Sequence, residues 1–445
     1  MSVVIIRGAN LINRGQSKVA DVLIKNQRIE KIDDSVNYTG AYDEVNAEGL
    51  LMLPGIIDDQ VHFREPGLTH KASIETESKA AVAGGVTTFM EMPNTKPSAL
   101  TQELLQDKYN IAGKNSYANY SFFMGASNDN YDEVMRTDPK MVCGVKIFMG
   151  SSTGNMLVDD RSVLEKLFAN VNMLIATHCE DEATINQQFI KFKEKYGSNL
   201  KASMHPLIRN EEGCFLSSSM AIELAQRYDT RLHILHISTR DELVLFHNDV
   251  PLKDKRITSE VCVHHLYFDA DDYDTLGNLI KCNPAIKSKE HKAALFPALL
   301  DDRLDIIATD HAPHSWEEKS QSYEFAPSGL PLVQHSLDIM MDFHNKGMIS
   351  KERVVEKMCH APAICFDILD RGYLDEGKFA DIVLYDPNAS YKVTKENIHY
   401  KCGWSPLDGK TFKGKVVRTF VNGAEVFSDK GVFNKGLGQR LEFLR

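Results

Sequence analysis

The chain has 445 residues, 43% of them hydrophobic, and a formal net charge of −11; it is too long for one core of ordinary size and suits a large domain with a smaller appendage. No apolar run reaches bilayer-spanning length, and the acid excess argues against non-specific nucleic-acid binding while leaving room for a local basic pocket that takes an anionic ligand. No basic leader with a small-residue cleavage site opens the sequence, and Cys143, Cys179, Cys214, Cys262, Cys282, Cys359, Cys365 and Cys402 lack framework spacing, so a cytoplasmic protein with reduced thiols is expected.

In chain order, the first fifty residues alternate apolar and polar, as in 2–8 and 22–29, and read as short antiparallel strands. From 54 to about 375, β-prone apolar runs alternate with amphipathic helical windows. The runs are 55–62, 85–92, 120–124, 142–146, 173–178, 232–236, 257–263 and 304–310; helical windows fall at 73–83, 103–111, 330–346 and 350–368. Alternation predicts a parallel sheet, and eight units predict an α/β fold closed as a (β/α)8 TIM barrel. The β texture returns in 380–385 and 414–423. Both ends are therefore expected to build one small β-sandwich, its N-terminal part over 1–53 and its C-terminal part over 376–445, flanking a barrel over 54–375.

Five of the runs end on His62, Lys146, His178, His236 and Asp310. Side chains at the C-terminal ends of barrel strands converge on one mouth, so these five read as a metal-ligand set and the chain as a metal-dependent hydrolase. Neutral imidazoles suit zinc, although His178 or His236 taken alone reads more often as a hydrogen-bonded structural residue, and His62 alone as a solvated histidine at a strand end. Gln60 lies two before His62 and is expected on the same strand face. Lys146 is either salt-bridged or, kept unprotonated in the interior, converted by carbon dioxide into a carbamate able to bridge two cations. Asp310 is either a loop cap or a carboxylate that binds metal and accepts a proton. His233, three before His236, is expected on the opposite face as a structural residue, with His264 and His265 in packing or supporting roles and Cys179 a spectator.

Arg64, Asn94 and His314 bring a cation, an amide and an imidazole to the same mouth, a set able to clamp a carboxylate through the bidentate guanidinium. Asn283 reads as either a turn residue or a substrate contact.

The segments His62-Phe63-Arg64-Glu65-Pro66-Gly67, Met92-Pro93-Asn94-Thr95, Lys146-Ile147-Phe148-Met149, His236-Ile237-Ser238-Thr239 and Ala308-Thr309-Asp310-His311-Ala312-Pro313-His314 closely resemble the dihydroorotases. The resemblance extends over nearly the whole chain, including Gly377-Lys378-Phe379-Ala380-Asp381-Ile382-Val383. It implies a barrel of the amidohydrolase superfamily that interconverts N-carbamoyl-L-aspartate and L-dihydroorotate in pyrimidine biosynthesis, with one or two Zn2+ per subunit. By the same resemblance His62, Lys146, His178, His236 and Asp310 match metal positions, Lys146 as an N6-carboxylated lysine, and Asp310 is the catalytic proton carrier. Arg64, Asn94, Asn283 and His314 match substrate-binding positions. A small-molecule substrate, a homo-oligomeric state, no membrane association and an association with a transcarbamoylase complete the expectation.

One position departs from the family pattern. Gln60 stands where the family carries the first histidine of His-x-His, and an amide oxygen is the poorer zinc ligand, so the metal on this strand is expected to be held weakly. Two rival readings share these residues: a hydantoinase or allantoinase, differing in substrate contacts, and a non-catalytic scaffold for a transcarbamoylase.

Overall fold

A computed structural model describes residues 3–150 and 155–445; Ser2 of the first expected strand lies outside them. The apolar runs form parallel strands buried on both faces, as a sheet covered by helices requires. They are Ile56–Val61, Val86–Glu91, Asn119–Phe122 continued by Met124–Gly125, Val145–Phe148, Ile175–His178, Leu232–Ile234, Ile257–Cys262 and Ile306–Ala308. Each pairs in parallel with its neighbour. The third strand passes its pairing from the second to the fourth at Phe123, whose N–H donates to Glu91 O at 3.1 Å. A parallel bridge between Val61 and His311, with His62 N–H donating to His311 O at 2.7 Å, closes the eight strands into the expected barrel.

The helices follow from caps and spacing. Ser73 caps Ile74–Ala83 by accepting from Thr76 N, and Thr101 caps Gln102–Asn115 by accepting from Leu104 N. The window at 330–346 resolves into a 3-10 turn, Val333–His335, and the helix Ser336–Asn345. That at 350–368 holds Lys351–Val355, a π-helical turn Glu356–His360 and Ala361–Cys365.

Both ends of the chain meet in one mixed, nine-stranded sheet. Its seam is the antiparallel pairing of Leu51–Pro54 with the start of Ile382–Lys392. Period-two alternation divides the second strand between two cores. Ile382 and Leu384 join Ile6, Val22, Ile24 and Phe420 inside the β domain, while Val383 and Tyr385 pack into the barrel's apolar cluster with Val82 and Leu337. At about 1.5–3 kcal/mol for each fully buried large apolar side chain, this shared strand ties the β domain to the barrel wall. All eight cysteines are free thiols, and among the described residues no helix is long and apolar enough to cross a membrane.

Candidate metal centre

At the C-terminal mouth of the barrel lies a cavity of about 610 Å3, and all ten residues singled out from the sequence line it: Gln60, His62, Arg64, Asn94, Lys146, His178, His236, Asn283, Asp310 and His314. His178 is the last residue of its strand, His62 follows its strand directly, and His236 and Asp310 lie two residues beyond theirs. Arg64, His236 and Asp310 have φ of 69°, 41° and 47°, a left-handed backbone that costs a non-glycine residue on the order of 1–2 kcal/mol and turns these side chains into the mouth.

Three expectations need correction. Lys146 does not close its strand but is second in Val145–Phe148, because the strand begins only where Val145 N–H donates to Leu174 O at 2.9 Å. The lysine accordingly rises from one layer deeper than the histidines. The simple period-two relation of Gln60 and His62 is also broken, since the first strand bulges against the second between Asp58 and Val61. Both still line the cavity, and the extra residue lets Asp59 reach the lumen as well. His233, finally, does not face away from the lumen: its Nε2 lies 3.3 Å from Asp59 Oδ2 and 3.4 Å from Glu260 Oε2, across strands that are not all neighbours.

Four donor atoms form two close pairs. His62 Nε2 stands 3.1 Å from Asp310 Oδ1, while His62 Nδ1 pairs with Asn94 Oδ1 at 2.8 Å. His178 Nδ1 stands 2.9 Å from His236 Nε2, while His178 Nε2 pairs with Glu180 Oε2 at 2.9 Å. Asn94 Oδ1 and Glu180 are acceptors, so each outer ring nitrogen carries the proton and each inner one presents a lone pair. Arg209 in turn pairs with Glu180. Burial holds His62 and His178 below the usual imidazole range and His236 well below it, which keeps the rings neutral. The two pairs stand at hydrogen-bond distance, 2.9 and 3.1 Å, and their nitrogen and oxygen atoms are donor types that suit zinc.

Lys146 is 1% exposed, and burial pushes its amine down to about 7. No carboxylate lies within 4 Å of its Nζ among the described residues, which disfavours the salt-bridged alternative. Gln60 donates from Nε2 to Asp310 Oδ1 at 3.3 Å, and its Oε1 faces the Cys262 thiol at 3.7 Å. The amide oxygen is thus turned away from the His62–Asp310 pair.

On the opposite wall Arg64 is buried, its Nε donating to Pro313 O at 3.1 Å and its Nη2 standing 3.0 Å from His314 Nε2. Burial pushes the guanidinium down to about 10, and among the described residues no carboxylate lies within 4 Å of it. Asn283 Oδ1 pairs with His205 Nε2 at 3.1 Å. Sequence reasoning missed Lys71, whose Nζ lies 3.0 Å from His314 Nδ1, and Glu180. Their signals were a cation just past the Arg64 motif and an acid two residues beyond His178. Cys179 is buried, bonded through its thiol to Thr177 Oγ1 at 3.3 Å, and pushed up to about 11 by that burial, in keeping with a spectator.

The chain belongs to the amidohydrolase family, whose model matches residues 51–426. Within that family it is similar to dihydroorotases. It is 33% identical to the dihydroorotase of Pyrococcus abyssi over 88% of either chain, and 31% identical to that of Bacillus cereus over 94% of this chain and 96% of the other. Among solved structures it superimposes on an L-hydantoinase (dihydropyrimidinase) from Arthrobacter aurescens with a TM-score of 0.94 at 26% identity, covering 99% of this chain and 100% of that one. A dihydropyrimidinase from Brevibacillus agri shares the fold, with a TM-score of 0.89 at 23% identity and full coverage of both chains.

Proposed function

We propose that this chain is a dihydroorotase, reversibly cyclising N-carbamoyl-L-aspartate to L-dihydroorotate for pyrimidine synthesis in the cytoplasm. One observation carries the substrate: the buried Arg64 guanidinium faces the cavity without a carboxylate partner among the described residues. A buried charge is costly until it is paired. A substrate carboxylate supplies the partner, and neutral cyclic amides do not.

His62 and Asp310 would hold one cation and His178 and His236 a second, with Lys146 between them as a carbamate. The mixed nitrogen and oxygen donors suit zinc, which supplies Lewis-acid polarisation of an amide carbonyl and a more acidic water. The protein does the rest. Asp310 takes the proton released during attack on the ring carbonyl and delivers it to the leaving ring nitrogen; in the biosynthetic direction it removes that proton from the carbamoyl nitrogen. Arg64, His314 and Asn94 grip the carboxylate not involved in ring closure and fix the ring for attack, while Asn283 bounds the far wall. The low-dielectric walls strengthen each contact.

The overlap with an L-hydantoinase supports a second reading, a cyclic amidohydrolase acting on neutral rings. Steady-state kinetics with dihydroorotate, hydantoin and allantoin separates the two. Higher kcat/KM for dihydroorotate is expected; preference for an uncharged ring would transfer the chain to the hydantoinase reading.

A further inference from the structure

Beneath the mouth, inside the barrel, Asp59 of the first strand, His233 of the sixth and Glu260 of the seventh meet where each is fully buried. One ligand atom from each lies within 4.8 Å of the other two. Thr258 fixes one nitrogen of the ring: its hydroxyl donates to Leu232 O at 3.3 Å, so it accepts from His233 Nδ1–H at 2.8 Å and Nε2 is left facing two carboxylates. Burial lowers the ring, but Asp59 and Glu260 outweigh it and push His233 up to about 9, so a cation between these groups would displace the proton on Nε2.

His233 Nε2 is shared between the two carboxylates, and both contacts are long. Charge-assisted hydrogen bonds close to about 2.7–2.9 Å, whereas His233 Nε2 stands 3.3 Å from Asp59 Oδ2 and 3.4 Å from Glu260 Oε2. Donors bound tetrahedrally at about 2.0–2.2 Å are separated by about 3.4 Å, which is the observed spacing. Asp59 Oδ1, moreover, is buried and accepts no hydrogen bond among the described residues. A carboxylate oxygen in that condition is expensive unless a cation serves it.

We propose that Asp59, His233 and Glu260 form a further site, with three protein ligands, that binds one divalent cation, zinc by its mixed imidazole and carboxylate donors, in the lumen beneath the mouth. Burial and the neighbouring Asp59 hold Glu260 well above the usual carboxyl range, so a cation would replace protons here, and two carboxylates with a neutral imidazole would then balance a dication. The bulge between Asp58 and Val61 is what admits Asp59 to this layer. Its role is support: Glu260 Oε1 accepts from His236 N–H at 3.0 Å, so an ion on Oε2 fixes the carboxylate that holds the left-handed backbone of His236. No step of the reaction proposed above passes through this site.

The test uses the full-length protein purified with zinc and crystallised. Anomalous difference maps on either side of the zinc edge are expected to show a peak within about 2.2 Å of His233 Nε2 and of an oxygen from both Asp59 and Glu260. The Asp59→Asn variant should lose that peak and about one zinc per chain by elemental analysis while keeping zinc at His178 and His236. In His178→Ala the lumen peak should persist as the mouth is emptied, so failure at one site is distinguishable from failure at the other. Absence of a lumen peak in the zinc-replete parent protein overturns the proposal, as does unchanged zinc content in Asp59→Asn. Should that variant fail to fold, the map of the parent protein decides.

Discussion

Nη2 of Arg64 lies 3.0 Å from Nε2 of His314, and the two share one wall of the mouth. Burial and then the neighbouring guanidinium hold His314 well below the usual imidazole range. If the proposed function holds, replacing Arg64 by Met removes both a charge-assisted contact to substrate and the repulsion felt by the imidazole. Losing a hydrogen bond to a charged group costs about 1.5–3 kcal/mol, so kcat/KM for dihydroorotate should fall at least ten- to a hundredfold. Metal content should not change, and the His314 resonance should titrate at higher pH. Unaltered kinetics would remove Arg64 from the substrate contacts.

Lys146→Ala should abolish activity, and short carboxylic acids should restore part of it by supplying the missing oxygens. Only the neutral amine adds carbon dioxide. With the amine held at about 7, reactivation of metal-depleted protein by zinc at a fixed concentration of dissolved carbon dioxide should accelerate as pH rises through that value. Electron density for an unmodified amine in active, metal-loaded crystals would refute the carbamate.

Gln60→His should tighten the cation shared with Asp310, because imidazole replaces an amide whose oxygen faces Cys262. Chelator titration should show one loosely held metal in the parent protein and slower release in the variant. Two equally tight metals in both would show that position 60 does not govern affinity.

His335 provides a pH test remote from the mouth. Burial pushes its imidazole down to about 3, and its Nδ1 pairs with Tyr400 Oη at 2.9 Å. In the unfolded chain the ring titrates near about 6.5. Below that pH the unfolded state binds the extra proton, so stability present above about 6.5 is lost progressively as pH falls toward about 3. Burial pushes Asp58 up to about 8 and Asp338 up to about 7, and these carboxyls act in the opposite sense. The informative quantity is therefore the difference in Tm between the parent protein and His335→Gln, which should shrink as pH is lowered from 7 to 4. A constant difference would mean that His335 does not titrate on unfolding.

The barrel was legible because parallel strands buried on both faces leave continuous apolar runs, and the mouth was legible because strand ends converge whatever their boundaries. Lys146 shows the limit. Its run was visible, but the strand's start depends on the pairing of Val145 with the distant Leu174, so its depth was not. The lumen cluster of Asp59, His233 and Glu260 was hidden for a related reason. Period-two reasoning assigns faces correctly only within unbroken strands, and both the bulge before Val61 and the left-handed turn at His236 break the count. Glu180 and Lys71 are ordinary surface types in sequence; only their placement against His178 and His314 gives them a role.

The hydrogen bond from His62 N–H to His311 O joins the first barrel strand to the segment after the last. The seam of the barrel therefore runs through the mouth, between His62 and Asp310. A nascent chain carries His62, Lys146, His178 and His236 long before residue 310 is synthesised, yet the pairing of His62 with Asp310 has to wait for the eighth strand to seal the ring. Of the two proposed cation positions, the one on His62 and Asp310 is therefore completed last, by the same step that closes the barrel.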